Sequence, residues 1–210
     1  MTKARYPQAR IWNRFAAGYA KSPVDDLNAY QVKLDKTAAL MTPDMSVLEI
    51  GCGTGTTALY HAERISRIDA LDFSSEMIGF AQGKAAEGNS PNVAFHISTL
   101  ADWEIENGPY DMVMAHSILH LVDDLDETLR QIHLRLKPGG WFVSSTVCIR
   151  DRSWLLSKLL PLVSATRLIP RVLPLSSKGL QDRIPSAGFN ISEVWRPAAG
   201  KAVFIIAQAA

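Results

Sequence analysis

The chain has 210 residues, 47% of them hydrophobic, which is enough for one α/β domain with a full core. Its 22 basic and 21 acidic residues nearly cancel, so charge gives no case for nucleic acid as the main partner. The two cysteines exclude a disulfide-rich scaffold, and no apolar run is long enough to span a membrane. Together with an N-terminal segment that lacks the apolar core of a signal peptide, they predict a cytoplasmic protein.

The first predicted elements are two helices within residues 9 to 40. In the first helix the aromatic residues Trp12, Phe15 and Tyr19 recur at helical spacing. Such a stripe is typical of a helix that packs on a core.

A glycine-rich turn follows the first predicted strand, which covers residues 46–50. Gly51, Gly53 and Gly55 alternate along this turn, and a helix is predicted from Thr56 to about Ile65. A strand that enters such a turn and leaves as a helix directs backbone N–H groups toward whatever lies over the turn. Glycine also permits positive φ angles and a close approach of a ligand. The pattern predicts a nucleotide-binding loop, with a turn that binds nothing as the alternative.

The spacing of the glycines discriminates between classes of nucleotide site. The dinucleotide fingerprint is G-x-G-x-x-G, whereas Thr56 stands here where the third glycine belongs. No Lys-Ser or Lys-Thr pair follows, which excludes a P-loop. An NAD-dependent oxidoreductase stays open as a less favoured class.

An acidic residue ends the second predicted strand, residues 68–71. If the first βαβ unit is right-handed, Asp72 lies where the ribose of a nucleotide would be. A carboxylate there can accept hydrogen bonds from both ribose hydroxyls.

The remaining elements continue the alternation of helices and strands. Helices are predicted over 75–86, 125–136 and 179–188, and strands over 93–97, 110–115, 141–146, 191–195 and 202–207. The last two strands are expected to form an antiparallel pair.

Several motifs occur in the order typical of one family. The block E-x-G-x-G-x-G at 49–55 resembles the first motif of the class I S-adenosylmethionine (SAM)-dependent methyltransferases. The segment 72–77 resembles that family's D-x-S-x-x-M pattern, and L-K-P-G-G at 136–140 resembles its turn before the fifth strand. The resemblance covers about residues 45–147 and is greatest to the ubiquinone and menaquinone biosynthesis methyltransferases.

The resemblance implies a Rossmann-like, doubly wound sheet of seven strands, mostly parallel with an antiparallel last strand and with helices on both faces. It implies a single domain over 1–210. Its parts are an N-terminal helical lid (1–42), a SAM-binding core (43–149), a variable helical cap (150–178) and a C-terminal helix with a strand pair (179–210). In the lid Tyr19 is the expected substrate contact, with packing on the core as the alternative.

The resemblance also implies the cofactor, SAM, and the residues that bind it. At the position after the third strand the family usually has Asp, whereas this chain has Thr99. For Met77, packing in the core is an alternative to contact with the adenine. The full set of expected cofactor-binding residues is Glu49, Gly51, Cys52, Gly53, Gly55, Asp72, Phe73, Met77, Thr99, Leu100 and Ala115.

Two histidines follow the fourth strand, where the family places the transferred methyl group. His116 is expected to contact the substrate or the cofactor, or to act as a general base, because its ordinary pKa suits proton transfer near neutrality. His120 is a second expected substrate contact. The H-x-x-x-H spacing also resembles metal ligation, but no third ligand is evident, so no metal is predicted.

The expected partner is a small organic acceptor with an apolar body, such as a quinol, a phenol, an amine or a lipid-like molecule. Residues 150–178 interleave leucines with basic residues, which suits a lid over an apolar pocket, a cap packed on the core or a surface element that touches lipid. A non-catalytic SAM-binding protein or a membrane-surface module on the same fold is the main rival to an enzyme.

Overall fold

The apolar run before the glycines forms a strand, as predicted. The computed structural model describes residues 6, 8–104, 108–152 and 169–210, and in it this strand is β1, Ser46–Ile50, with four of its five residues buried. A strand that is apolar at successive positions has to be covered on both faces. Its place is therefore inside a sheet and not at an edge.

Six further strands join β1 in one mixed sheet with the order β3-β2-β1-β4-β5-β7-β6. The seven-stranded, Rossmann-like sheet is confirmed. The further strands are β2 (Arg67–Asp72), β3 (Val93–Ile97), β4 (Tyr110–His116), β5 (Leu136–Thr146), β6 (Phe189–Trp195) and β7 (Val203–Ala209).

The chain divides into two compact units, Met1–Thr99 and Leu100–Ala210. In the first unit β1, β2 and β3 run parallel, with Ile50 opposite Leu71 and Asp72 opposite Ile97. The helices of this unit are α1 (Ala9–Lys21), α2 (Leu27–Ala38), α3 (Thr56–His61) and α4 (Ser75–Gly88), and α1 packs against α4.

Capping side chains mark where two helices of the first unit, α2 and α4, begin. The Asp26 carboxylate accepts a hydrogen bond from the Ala29 N–H at 3.0 Å before α2, and the Ser74 hydroxyl accepts one from the Met77 N–H at 3.2 Å before α4. The third helix is shorter than predicted, because α3 ends at His61 and a 3₁₀ turn over Ala62–Arg64 follows.

In the second unit β4 and β5 run parallel, whereas β7 lies between β5 and β6 and is antiparallel to both. This confirms the antiparallel last strand. The helices of this unit among the described residues are α5 (Leu125–Leu134), α6 (Ile149–Arg152) and α7 (Ser177–Ser186).

The boundary between α5 and β5 differs from the prediction. Leu136 was expected to end the helix, but it pairs with Tyr110 and belongs to β5. The next pair in the register is Met112 with Trp141. Between these two pairs the chain advances five residues along β5 but only two along β4. The extra residues bulge out of the ladder at the glycines of L-K-P-G-G, where Gly139 has a φ of +72°.

Two predicted features remain, the variable segment and the helical lid. Most of the variable segment 150–178, namely residues 153–168, lies outside the described residues. The lid role of α1 and α2 remains a prediction. None of the helices in the described ranges has the length and apolar character that crossing a membrane requires.

His61, at the end of α3, makes the stability of the fold sensitive to acid. The side chain is fully buried, and burial together with the nearby charge of Arg64 lowers its pKa from 6.5 to about 4. Below pH 6.5, the ordinary pKa of histidine, His61 therefore binds a proton in the unfolded chain but stays neutral in the folded chain. We expect the free energy of unfolding to fall by about 2 kcal/mol more between pH 7.5 and 5 in the wild type than in His61→Leu. Urea denaturation at both pH values measures this difference, and equal losses in the two proteins would contradict it.

Candidate functional site

The three glycines after β1 all adopt left-handed backbone conformations. The φ angles are +64° at Gly51, +54° at Gly53 and +75° at Gly55, which is also the N-cap of α3. Residues with a Cβ adopt such angles only under strain. The glycine-rich turn, defined here as Gly51–Gly55, thus has a backbone path that alternate glycines make possible, as the sequence predicted.

Gly55 and Gly53 serve different purposes within this turn. A Cβ on Gly55 would lie 2.7 Å from the ring of Phe95 and 2.8 Å from the Cβ of Ala81, so the position tolerates no side chain. A Cβ on Gly53 would meet one described side chain within 4 Å, the ring of Tyr19 at 3.7 Å. Gly55 therefore permits close packing of the fold, whereas Gly53 leaves room in front of the turn.

Asp72 connects the end of β2 to the glycine-rich turn. Its Oδ2 accepts a hydrogen bond from the Gly53 N–H at 3.0 Å, and its Oδ1 accepts one from the Ser74 N–H at 2.8 Å. Burial raises the pKa of the carboxyl, and these two backbone donors partly offset that rise. Each oxygen retains a further lone pair with which it can accept a hydrogen bond from a ligand.

Glu49, near the end of β1, is a buried acid with an unused oxygen. The residue is 2% exposed, and its Oε2 has no hydrogen-bond partner among the described residues. Burial raises the pKa of this carboxyl to about 8; a backbone hydrogen bond from Ala58 lowers it and the charge of Asp72 raises it further. A carboxyl held in this way favours a positively charged ligand, since such a ligand compensates the ionised form.

Tyr19, on α1, lies over the glycine-rich turn. Its side chain is 54% exposed although its ring is close to Gly53. Partial burial raises the pKa of its hydroxyl, and the negative charges of Glu49 and Asp72 add to that rise. The structure thus brings Tyr19 together with the acids and the turn that the sequence analysis singled out.

Two residues beside the turn were missed by the sequence analysis. The Tyr30 hydroxyl lies 3.4 Å from Thr57 Oγ1, and the charge of Glu49 raises its pKa after the larger effect of burial. Lys84, on α4, donates to the Thr54 carbonyl at 3.1 Å and to the hydroxyls of Thr54 and Thr56 at 3.0 and 3.1 Å. Lys84 therefore holds the turn from its flank, and no local motif marks either residue.

Four further expected cofactor residues of the first unit differ in exposure. Phe73 is half-buried, and its ring lies 6.2 Å from that of Tyr6. Met77 is 2% exposed and forms part of the core, which is the alternative that the sequence left open for it. Cys52 is buried, and burial raises the pKa of its thiol well above the ordinary value. Thr99 is half-buried at the end of the unit.

In the second unit, the carboxyl end of β4 carries Ala115 and His116. Ala115 is fully buried opposite Ser144, whereas His116 is half-buried opposite Ser145 and parallel to the ring of Phe204, with 6.5 Å between ring centroids. Ser117 follows with a φ of +56°. The chain therefore turns sharply directly after His116, a geometry that recurs at functional sites.

His120 lies in the turn that follows β4, and its environment differs from that of an ordinary histidine. Its Nδ1 is buried without a hydrogen-bond partner among the described residues, and burial lowers its pKa to about 4. Its carbonyl accepts a hydrogen bond from the Leu173 N–H at 2.7 Å. This imidazole is neutral near pH 7 and is too weak a base to be the first choice for removing a proton.

Leu100 begins the second unit in a loop that a buried arginine holds. Arg135 is 2% exposed and donates to the Leu100 carbonyl at 2.9 Å and to the Trp103 carbonyl. The Trp103 indole in turn donates to the Tyr110 hydroxyl at 3.0 Å. Arg135 was not anticipated, because it lies 35 residues from the loop in the sequence.

The chain resembles known methyltransferases over its central region. Residues 47–140 match the family model described as a methyltransferase domain. A ubiquinone biosynthesis O-methyltransferase of Albidiferax ferrireducens is 31% identical over 112 residues, which cover 53% of this chain and 44% of that protein. A malonyl-(acyl-carrier protein) O-methyltransferase of Bacillus cereus is 31% identical over 111 residues, which cover 50% of this chain and 38% of that protein. The chain spans half or less of the length of the curated relatives that it matches.

Solved structures share the fold over most of the chain. The DhpI complex with S-adenosylhomocysteine (SAH) has a TM-score of 0.73 at 20% identity and covers 96% of this chain and 95% of that chain. YcgJ from Bacillus subtilis has a TM-score of 0.72 at 17% identity and covers 85% of this chain and 98% of that chain. These structures agree in fold with the family that the glycine-rich turn and Asp72 indicate. Residues 47–140 therefore form a methyltransferase domain of the class I, SAM-dependent type.

SAM is the cofactor of class I methyltransferase domains, and the described residues of this chain fit it. Among the described residues, only the Tyr19 ring comes within 4 Å of the position that a Cβ on Gly53 would take. The unpartnered Glu49 oxygen suits a ligand that carries positive charge, and the remaining lone pairs of Asp72 suit a ribose diol. Among the described residues no group of three His, Cys, Asp or Glu side chains is arranged to hold a metal ion.

Proposed function

We propose that this chain transfers the methyl group of SAM to a small organic acceptor with an apolar body. The observation that supports this most strongly is the pair of hydrogen bonds that Asp72 accepts from Gly53 and Ser74, since they join the ribose-binding position to the glycine-rich turn. In the proposed site Asp72 accepts from the ribose hydroxyls, and Glu49 balances positive charge. The residues of this proposed cofactor site are those predicted from the sequence except Met77, which packs in the core, and Tyr19 lies beside them.

When bound, SAM supplies a methyl group that is already activated on a sulfonium, so the protein mainly has to position donor and acceptor. A base is needed when the acceptor has to lose a proton before attack. We assign this role to His116, because it ends β4, where ligands gather in open α/β sheets. His120 is proposed to line the acceptor position, since its lowered pKa makes it a poor base.

Two considerations suggest the class of acceptor: the names of the relatives and the role proposed for His116. Two relatives carry names of O-methyltransferases, one of ubiquinone biosynthesis and one acting on malonyl-(acyl-carrier protein). A histidine base suits a hydroxyl acceptor, whereas an amine that is already neutral needs none. Quinols and phenols are therefore the first acceptors to test, followed by amines and lipid-like molecules.

Two measurements test this proposal. Isothermal titration with SAM, SAH and NAD tests the cofactor, and binding of NAD without binding of SAM or SAH would point to an oxidoreductase. Formation of SAH from SAM in the presence of quinol, phenol, amine and lipid-like acceptors tests catalysis. Binding of SAM with no turnover on any acceptor would favour a non-catalytic SAM-binding protein.

Asp72→Ala is expected to weaken SAH binding by about 1.5–3 kcal/mol, because a charge-assisted pair of hydrogen bonds to the ribose is lost. Titration calorimetry measures this as a roughly 10- to 150-fold rise in Kd. Asp182→Ala is the control, since Asp182 is exposed and its ion pair with Lys178 at 2.7 Å contributes little. If Asp72→Ala and the wild type bound SAH with equal affinity, Asp72 would not be part of the cofactor site.

A further inference from the structure

Helix α1 is tied by its Asn13 side chain to the loop that follows Asp72. The Ser74 hydroxyl donates to Asn13 Oδ1 at 2.6 Å, and Asn13 Nδ2 donates to the Ser75 hydroxyl at 3.3 Å. The Glu76 N–H approaches the same Oδ1 at 3.5 Å. One asparagine thus connects α1 to three successive residues at the start of α4.

These bonds continue into the cofactor site. The Ser74 N–H donates to Asp72 Oδ1 at 2.8 Å, and Asp72 Oδ2 accepts from the Gly53 N–H at 3.0 Å. The resulting chain of hydrogen bonds runs from Asn13 through Ser74 and Asp72 to Gly53. All of its members lie in the first compact unit.

The same helix reaches the glycine-rich turn a second time through Tyr19, whose ring lies 3.7 Å from the position of a Cβ on Gly53. Asn13 and Tyr19 are six residues apart, roughly 9 Å along the helix axis. Because a helix is rigid over this length, the Asn13 anchor also determines where Tyr19 lies relative to Gly53.

We propose that Asn13 is a positioning residue for the cofactor, which orients Asp72 through Ser74 and holds α1 so that Tyr19 lies over the turn. This inference rests on the proposed function, since it assigns Asp72 to the cofactor. A purely structural role is already filled by Ser74, which caps α4 through the Met77 N–H. Asn13 adds to that cap a connection between α1 and the ribose-binding carboxylate.

The test compares SAH affinity and KM for SAM in Asn13→Ala, in the conservative Asn13→Asp and in Asn28→Ala. Asn28 is an exposed asparagine on α2 and serves as a matched control. We expect Asn13→Ala to raise the Kd for SAH and the KM for SAM about five- to tenfold at unchanged kcat. Asn13→Asp keeps the acceptor for the Ser74 hydroxyl and is expected to stay within twofold of the wild type, as is Asn28→Ala.

A double-mutant cycle isolates the path through Ser74. In a Ser74→Ala background, Asn13→Ala is expected to change the Kd for SAH by no more than about twofold, because the connection is already broken. Hydrogen exchange of residues 9–21 in the free protein should be faster in Asn13→Ala than in Asn28→Ala. If Asn13→Ala does not fold, Asn13→Gln, which displaces the amide by one methylene, is expected to show the same loss of affinity.

The outcomes separate this inference from the proposed function. A wild-type chain that binds SAH, with Asn13→Ala binding equally well, overturns the role of Asn13 and leaves the function standing. The same loss in both Ser74 backgrounds also overturns it, because the effect would then bypass Ser74. A wild-type chain that binds neither SAM nor SAH overturns the proposed function and this role with it.

Discussion

Glu49→Gln is expected to stabilise the free protein increasingly as the pH rises, by about 3–4 kcal/mol more at pH 8 than at pH 5. In the folded wild type the pKa of Glu49 is raised to about 8, chiefly by burial, against an ordinary value of 4.5. The stability that the protonated form contributes is fully present below pH 4.5 and is lost as the pH rises toward 8. Glutamine has nearly the same shape and does not titrate, so its contribution does not change.

Chemical denaturation of both proteins at pH 5, 6.5 and 8 measures this difference. Glu63→Gln is the control, because Glu63 is exposed on the 3₁₀ turn after α3. If the wild type and Glu49→Gln differed in free energy of unfolding by the same amount at every pH, Glu49 would be ionised in the folded protein and the prediction would be wrong. The same substitution should weaken SAM binding at pH 8, since the carboxylate that destabilises the free protein is the group that favours a positively charged ligand.

Gly55→Ala is expected to lower the free energy of unfolding by about 2–4 kcal/mol, through left-handed backbone strain and overpacking together. The φ of +75° at Gly55 disfavours any side chain, and the new Cβ would lie 2.7 Å from Phe95 and 2.8 Å from Ala81. Neither neighbour can move freely, because Phe95 belongs to β3 and Ala81 is buried in α4. The turn is therefore displaced or the fold is weakened.

Gly79→Ala and Gly83→Ala provide matched controls for Gly55→Ala. Both glycines lie inside α4, and a Cβ at either would meet no atom within 4 Å. Alanine at such positions is expected to stabilise the protein by about 0.5–1 kcal/mol, because it restricts the unfolded chain and favours the helix. Thermal melting of the three variants gives the sign directly, and a stabilising Gly55→Ala would contradict the observed backbone of the turn.

The prediction of the site from the sequence succeeded where the relevant residues are close in the chain or follow from a topological rule. The glycines act on their own backbone, so their alternate spacing is visible in the sequence as well as in the three positive φ angles. Asp72 ends the strand next to β1 in the sheet, and a right-handed parallel crossover brings such an acid to the turn. The hydrogen bond from the Gly53 N–H to Asp72 joins residues 19 positions apart, and this topological rule alone is enough to predict that they lie close together.

The contacts that connect α1 and α4 to the site did not follow from any local pattern. Asn13 stands within the aromatic segment that drew attention to Tyr19, yet a helical asparagine is ordinarily a solvated residue, and only the packing of α1 on α4 brings it to Ser74. Lys84 reaches Thr54 from the third turn of α4 for the same reason. The hydrogen-bond partners of such side chains depend on how the helices pack. The spacing of residues in the sequence does not give the distance between two packed helices.

By itself the sequence determined the order of helices and strands, the glycine-rich turn, the acids near the ends of β1 and β2, and the likeness to methyltransferases. These features depend on local backbone preference, on hydrophobic periodicity and on the fixed handedness of parallel crossovers. Only the tertiary structure decided that a Glu49 oxygen has no partner among the described residues, and that β5 begins at Leu136, ahead of a bulge. It also decided that Asn13 is joined to Asp72 through Ser74. Burial and hydrogen-bond partners arise when segments distant in the chain pack together, and that packing decides how each chemical group behaves.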